Sequence, residues 1–384
     1  MAKIIIGYRG YRRMHESKDP GLIALGLQSL GWDVTMLTTP KNELNGSQTP
    51  FALLSEEFSK WLQAIINMKP DCTLIYHALG RDFTPLLQGL NRATIPVIIK
   101  ADSDGTLSPY PYLKAFANRY CRQSLRDALK TVAKVFMPWW ADQWLLNNLR
   151  QSDGMIVESP MAKERTMTVL AMTTRENFTS KIHVCPLPVS PLYTESTVAI
   201  PRRNQIISIG RWNDMAPKNP RLLLKTVSDV LEVRGDFKAV IVGPGESLMK
   251  RWVSSLAPHI KSRISILGPL SPTEIKLHLN HSKIFFSSSR WESFGLAAAE
   301  ALCSGCTLVG PDLPPFRYLI AEGRTGTLAK DYSKSALYRA LGEEIDLWDQ
   351  GIRDPKMIAT QWQHILDYRL VAHDVLEAVN TCAR

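Results

Sequence analysis

Cysteine is scarce in this chain, with six in 384 residues. So few cannot lace a chain of this length into a disulfide framework, and the even count carries no pairing information. Cys303-Ser304-Gly305-Cys306 is formally C-x-x-C, yet no second pair accompanies it, which argues against a zinc or redox site. Long apolar runs are missing too. None reaches the roughly 18 residues that cross a bilayer, and residues 1–7 read as a core strand rather than a signal peptide, so a cytoplasmic protein is expected. Solenoid repeats and low-complexity tracts are also absent.

What is present suits a globular α/β protein. At 45 % hydrophobic content the chain can bury two cores, and two α/β domains are expected rather than one. The strand Lys3 to Gly7, the helix Gly21 to Leu30 and the strand Trp32 to Thr38 make a βαβ start, which argues for a parallel sheet. Further strands are read at Cys72 to Tyr76, Pro96 to Ala101, Gly154 to Val157 and Lys181 to Val184. Cys185 to Arg203 holds Pro186, Pro188, Pro191 and Pro201 and reads as a semi-rigid linker. The domains are therefore set at 1–195 and 203–350, with a helical segment at 355–384.

The net charge of +10 admits nucleic acid as a partner, but no recognition motif supports it. More informative are Arg119, Arg122, Arg126, Lys130 and Lys134, whose three- and four-residue spacing gathers them on one side of a helix. The other side carries Leu125, Ala128, Leu129, Val132 and Phe136, and Trp139, Trp140 and Trp144 follow. Two readings stand: a helix packed on its own domain with a solvated basic face, or an interfacial helix in peripheral contact with a membrane.

The richest stretch is Trp291 to Val309. It sets Glu292 ahead of a helix read from Phe294 onward and Glu300 inside it. Eight helical residues rise about 12 Å and turn roughly 80° beyond two full turns, so the carboxylates point to similar sides about a diphosphate's length apart. Between them the backbone N–H groups of Phe294, Gly295 and Leu296 are read as the free donors of a first turn, which attract phosphate. Glu292 then suits sugar hydroxyls and Glu300 a ribose hydroxyl.

Glu292, Phe294, Gly295, Leu296, Glu300 and Ala301, with Gly305 closing the helix, resemble the signature of retaining glycosyltransferases of family 4. Gly210-Arg211 after the strand Gln205 to Ile209, followed by Lys218, resembles the family's pair of cations on the donor diphosphate. Fixed cations there stabilise a departing nucleoside diphosphate more than the bound donor. Ile264 to Gly268 is similar to the strand and turn near the base, which brings in Ile266, and Gly10 resembles the glycine that lets backbone approach the diphosphate.

The resemblance implies the GT-B fold, two facing Rossmann-like domains with the C-terminal helical segment returning to the first. It implies a retaining, metal-independent transfer of a hexose-type sugar from a nucleoside diphosphate to an acceptor hydroxyl by front-face substitution, in polysaccharide or glycolipid synthesis. No cofactor is implied beyond the nucleotide-sugar donor. A nucleotide-sugar epimerase, a phosphorylase and a binding protein without turnover are the alternatives. The chain departs from the pattern at Ala101, where a histidine is common, so the adjacent Asp102 and the strand-end His77 are candidate sugar or acceptor contacts. Asp102-Ser103-Asp104-Gly105 reads as a turn rather than a D-x-D metal clamp. Pro314 to Tyr318 replaces a glycine-rich run, so the loop there is expected to be reshaped.

Overall fold

The computed structural model describes residues 1–40, 49–120, 138–197 and 201–382, with residues 129, 132, 135 and 136. The chain divides into two compact units, one of residues 1–113, 132–190 and 365–384, the other of residues 114–131 and 191–364.

In the first unit β1 (Lys3–Gly7), β2 (Asp33–Thr38), β3 (Ala52–Ser55), β4 (Cys72–Tyr76), β5 (Val97–Lys100), β6 (Gly154–Val157) and β7 (Ile182–Val184) form one sheet. Its order is β3-β2-β1-β4-β5-β6-β7, and every pairing is parallel. Parallel sheets are covered on both faces, and Ile4, Ile5 and Ile6 in β1 are each fully buried. Ile4 and Ile6 point to one side, where they join Ile23, Leu27, Val371 and Val375 from the helices Asp19–Ser29 and Tyr368–Cys382. Ile5 points to the other, among Leu87, Leu149 and Val169. Prolines 186 and 188 do not sit in an exposed linker, since residues 185–189 are buried and belong to the unit's segment 132–190.

The second unit repeats the design with β8 (Arg203–Ile209), β9 (Lys238–Val242), β10 (Ile264–Leu267), β11 (Ser282–Phe286), β12 (Thr307–Pro311) and β13 (Gly326–Ala329). The order β10-β9-β8-β11-β12-β13 is again parallel throughout. The amphipathic helices Pro220–Val233 and Lys334–Asp349 bury Leu223, Val227, Leu337 and Leu341 against it. Ser333 caps the second of these through its Oγ and the N–H of Ala336. Gly326 opens the edge strand β13.

Each sheet reverses its winding at one place, β1/β4 in the first unit and β8/β11 in the second. The carboxyl ends of strands at such a reversal are where open α/β sheets bind ligands. Candidate residues emerge at both. Gly10 and His77 follow β1 and β4, and Arg211 and Glu292 follow β8 and β11.

Candidate functional site

In the second unit, two loops are stitched together to make the site. After β8, Gly210 N–H donates to Val242 O at 3.1 Å and Trp212 N–H to Pro244 O at 2.7 Å. This fixes the backbone around Arg211 while its side chain stays 72 % exposed, 3.6 Å from Asp214. A single helical turn, Met215–Lys218, ends on Asn219 in the left-handed region at φ 49°. From the loop after β11, Ser288 Oγ donates to the carbonyls of Lys218 and Asn219 at 2.9 and 3.1 Å. Arg290 N–H donates to Pro217 O at 2.7 Å.

The stitching brings Lys218 onto Glu292. Lys218 Nζ lies 2.6 Å from Glu292 Oε1, and the same oxygen accepts from Ser289 Oγ at 2.6 Å. Both members of the ion pair are largely shielded, with side chains 19 % and 16 % exposed. Ser289 itself is buried. It was not singled out from sequence, although the run Ser287-Ser288-Ser289 between an apolar strand and Arg290 was a visible signal.

The helix beyond Glu292 starts later than its composition suggests. It runs Leu296–Cys303, with Gly295 as N-cap at φ 91°. The open donors are therefore the N–H groups of Leu296 and Ala297, because Ala298 N–H already bonds Gly295 O at 2.9 Å. Glycine is required at 295 on two counts: a side chain is strained at that φ, and a Cβ would sit 3.0 Å from the Phe316 ring. Phe294 is fully buried, its ring 6.2 Å from Tyr318, so its side chain packs in the core behind the helix start. Pro314 to Tyr318 forms most of a short helix, Pro314–Leu319, which supplies Phe316 as the floor beneath Gly295.

Glu300 sits on this helix, half-buried. Burial first, and then the Glu300 charge, push the Tyr193 phenol above its ordinary range. Ile266 lies in the edge strand β10 opposite Ile241 and packs half-buried on the core. Cys303 and Cys306 at the helix end are buried thiols raised by burial. The Cys306 thiol donates to Leu279 O and Ser282 O, so this C-x-x-C packs a helix end.

The first unit holds a separate group. His77 and Asp102 end adjacent strands, and both are left-handed, at φ 57° and 47°. His77 Nδ1 is 3.3 Å from Ala101 O, and Nε2 is 4.0 Å from Asp102 Oδ2. Two touching non-glycine residues in this region are a local strain of the kind held at functional sites. Tyr8 packs beside them, its ring 5.7 Å from that of His77. Burial, then Asp102 and Asp19, push the Tyr8 phenol up to about 12. Gly10 is also left-handed, at φ 71°, but its N–H is already given to Thr39 Oγ1 at 3.1 Å.

Beneath the Asp102 turn lies a buried ion pair that sequence reading missed. Lys100 and Glu158 are both fully buried, and Lys100 Nζ donates to Glu158 Oε1 at 2.9 Å. The other carboxylate oxygen accepts from Ser103 N–H at 2.8 Å. Burial pushes the Glu158 carboxyl up to about 7, with Lys100 opposing the rise. Burial opposes the Lys100 charge as well, yet Glu158, Asp19 and Asp102 together hold that amine above the ordinary lysine range.

Asp104 is committed to the turn. Its Oδ1 accepts from Thr106 N–H at 3.1 Å, and its Oδ2 from Thr106 Oγ1 at 2.9 Å and Arg165 Nη1 at 3.2 Å. The D-S-D run therefore presents one carboxylate, that of Asp102, and not a clamp. The basic side chains expected on a helix at Arg119, Arg122, Arg126, Lys130 and Lys134 lie outside the described residues. Among the described residues, no helix is long and apolar enough to cross a membrane.

The stretch that contains the second-unit site, residues 193–349, matches the family model for glycosyl transferases group 1. Residues 193–349 belong to that family. A phosphatidyl-myo-inositol mannosyltransferase of Mycobacterium leprae is 24 % identical over 235 residues, 60 % of this chain and 59 % of the relative. The chain spans about half the length of the curated relatives it matches.

Two solved structures share the fold along the whole chain. A lipopolysaccharide outer core galactosyltransferase superposes with a TM-score of 0.68 at 14 % identity, covering 99 % of both chains. HepE of Anabaena in complex with UDP superposes at 0.67 and 12 %, covering 99 % of this chain and 100 % of that one. With two parallel α/β units, the fold is GT-B.

Proposed function

We propose that this chain is a retaining glycosyltransferase of family 4 type that moves a hexose-type sugar from a nucleoside diphosphate to an acceptor hydroxyl without a metal. The observation that carries the reading is the cluster of Lys218, Glu292 and Ser289, built at the β8/β11 reversal beside the open first turn of the helix Leu296–Cys303. Lys218, Arg211 and the N–H groups of Leu296 and Ala297 hold the diphosphate. Glu292 accepts from sugar hydroxyls, Glu300 from a ribose hydroxyl, and the backbone near Ile266 lies by the base.

In the reaction the acceptor oxygen bonds to the anomeric carbon on the face from which the diphosphate departs. The carbon–oxygen bond to the β-phosphate breaks, and the acceptor proton passes to the released phosphate oxygen. Charge grows on that phosphate as the bond lengthens, so preorganised cations and N–H donors lower the barrier. In the first unit, Asp102 and His77 supply hydroxyl contacts. The names of the relatives, a phosphatidylinositol mannosyltransferase and a lipopolysaccharide galactosyltransferase among them, favour a glycolipid acceptor and a cytoplasmic protein peripheral to a membrane.

The test is a thermal-shift panel of UDP, GDP, ADP and their hexose conjugates with EDTA present, since a ligand of the folded state raises the midpoint by mass action. A shift with one nucleotide family is the expected result. No shift with any of them, restored by manganese, would reject the metal-independent site.

A further inference from the structure

The lysine assigned to the diphosphate is engaged by the carboxylate assigned to the sugar. Lys218 Nζ is 2.6 Å from Glu292 Oε1, in a pair whose side chains are 19 % and 16 % exposed. We infer that Glu292 competes with the donor diphosphate for Lys218, and that the sugar's hydroxyls release this competition, so the site prefers the nucleotide sugar to the free nucleoside diphosphate. The inference rests on the donor-site reading and adds the basis of its selectivity.

A diphosphate that draws Lys218 away leaves Glu292 Oε1 with Ser289 Oγ, at 2.6 Å, in place of two donors. A shielded carboxylate that loses a charged partner pays for it unless another donor arrives. Free nucleoside diphosphate brings phosphate oxygens, which only accept. A nucleotide sugar brings hydroxyls, which donate. Diphosphate and sugar are thereby coupled through a single exchange of partners, and by linkage each raises the affinity for the other. After transfer the sugar is gone, Glu292 regains Lys218, and the product nucleoside diphosphate is expelled more readily.

Isothermal titration of UDP, GDP, ADP and their glucose and mannose conjugates into the wild type and the Glu292→Gln, Lys218→Met and Lys218→Met/Glu292→Gln variants tests this. The base that binds the wild type is then used throughout. Glu292→Gln is expected to bind that free nucleoside diphosphate roughly five- to tenfold tighter, the range of a partly shielded ion pair, while the advantage of the conjugate collapses.

The double variant separates exchange from simple relief of repulsion. If Glu292 acts by holding Lys218, Glu292→Gln has no tightening effect once Lys218 is Met. Equal tightening in both backgrounds overturns the inference in favour of a general charge effect. Unchanged or weaker nucleotide binding in Glu292→Gln overturns it outright. Failure of all three nucleotides to bind the wild type rejects the donor site itself, a separate result.

Discussion

Lys218 and Glu292 stand 74 positions apart in the chain and are joined by a 2.6 Å hydrogen-bonded ion pair. The two loops that carry them leave β8 and β11, neighbours at the reversal of the second sheet. Ser288 locks the loops by bonding the carbonyls of Lys218 and Asn219, so the position of the lysine does not depend on its own flexible stem alone. Removing it takes away a fixed charge without disturbing the core. Lys218→Ala is expected to lower turnover by about 10²- to 10³-fold, the loss typical of one preorganised electrostatic contact. The thermal midpoint should stay within a few degrees. Hydrolysis or transfer from the nucleotide sugar found in the binding panel measures it, and near wild-type turnover would remove Lys218 from the site.

Ser289 extends the same logic by one residue. It is buried, and its hydroxyl holds the Glu292 carboxylate at 2.6 Å. A hydrogen bond to a charged group is worth about 1.5–3 kcal/mol, part of which orients Glu292. Ser289→Ala should therefore reduce kcat roughly tenfold, with an unfolding midpoint close to that of the parent. Steady-state kinetics beside a thermal melt separates this from loss of fold. An unchanged kcat would mean Lys218 alone fixes the carboxylate.

Gly295 tests the helix start. At φ 91°, with Phe316 3.0 Å from where a Cβ would lie, any side chain forces either the backbone or the ring to move. Gly295→Ala is expected to cost about 1–2 kcal/mol of stability. It should also weaken nucleotide diphosphate binding, because the N–H groups of Leu296 and Ala297 turn with the cap. Urea denaturation and calorimetric titration on one variant check both parts, and full affinity in a destabilised protein would show that these donors are not used.

Much of this was legible in the sequence, and the misses have specific causes. Alternating apolar strands and helices announced two parallel sheets, and Glu292, read as lying just ahead of its helix, does so and pairs with Lys218. The helix start was misplaced by two residues because Phe294 has good helical company, while Gly295 in the left-handed region decides the boundary. Strands β3 and β13 were missed because Ala52–Ser55 and Gly326–Ala329 are four-residue edge strands with weak apolar patterning, the first of them mostly exposed. The Lys100–Glu158 pair was missed because sequence alone does not reveal that β5 and β6 are neighbours. Its trace was there all the same, as one charge ending each of two apolar strands, V-I-I-K and M-I-V-E.

That pair gives a pH signature. Glu158 is raised from 4.5 to about 7 in the folded protein, chiefly by burial. A carboxyl whose folded pKa lies above its unfolded value binds more protons folded than unfolded between those two values. Stability from this group is therefore present below about 4.5 and lost as pH rises through about 7. The loss is on the order of 3 kcal/mol. Glu158→Gln cannot titrate, but its amide oxygen can still accept from Ser103 N–H and keep the Asp102 turn. Urea unfolding of both proteins from pH 5 to 8 should show the wild type losing ground to the variant across that window. Parallel curves would mean that Lys100 holds Glu158 ionised throughout and that burial at these strand ends is fully offset by the pair.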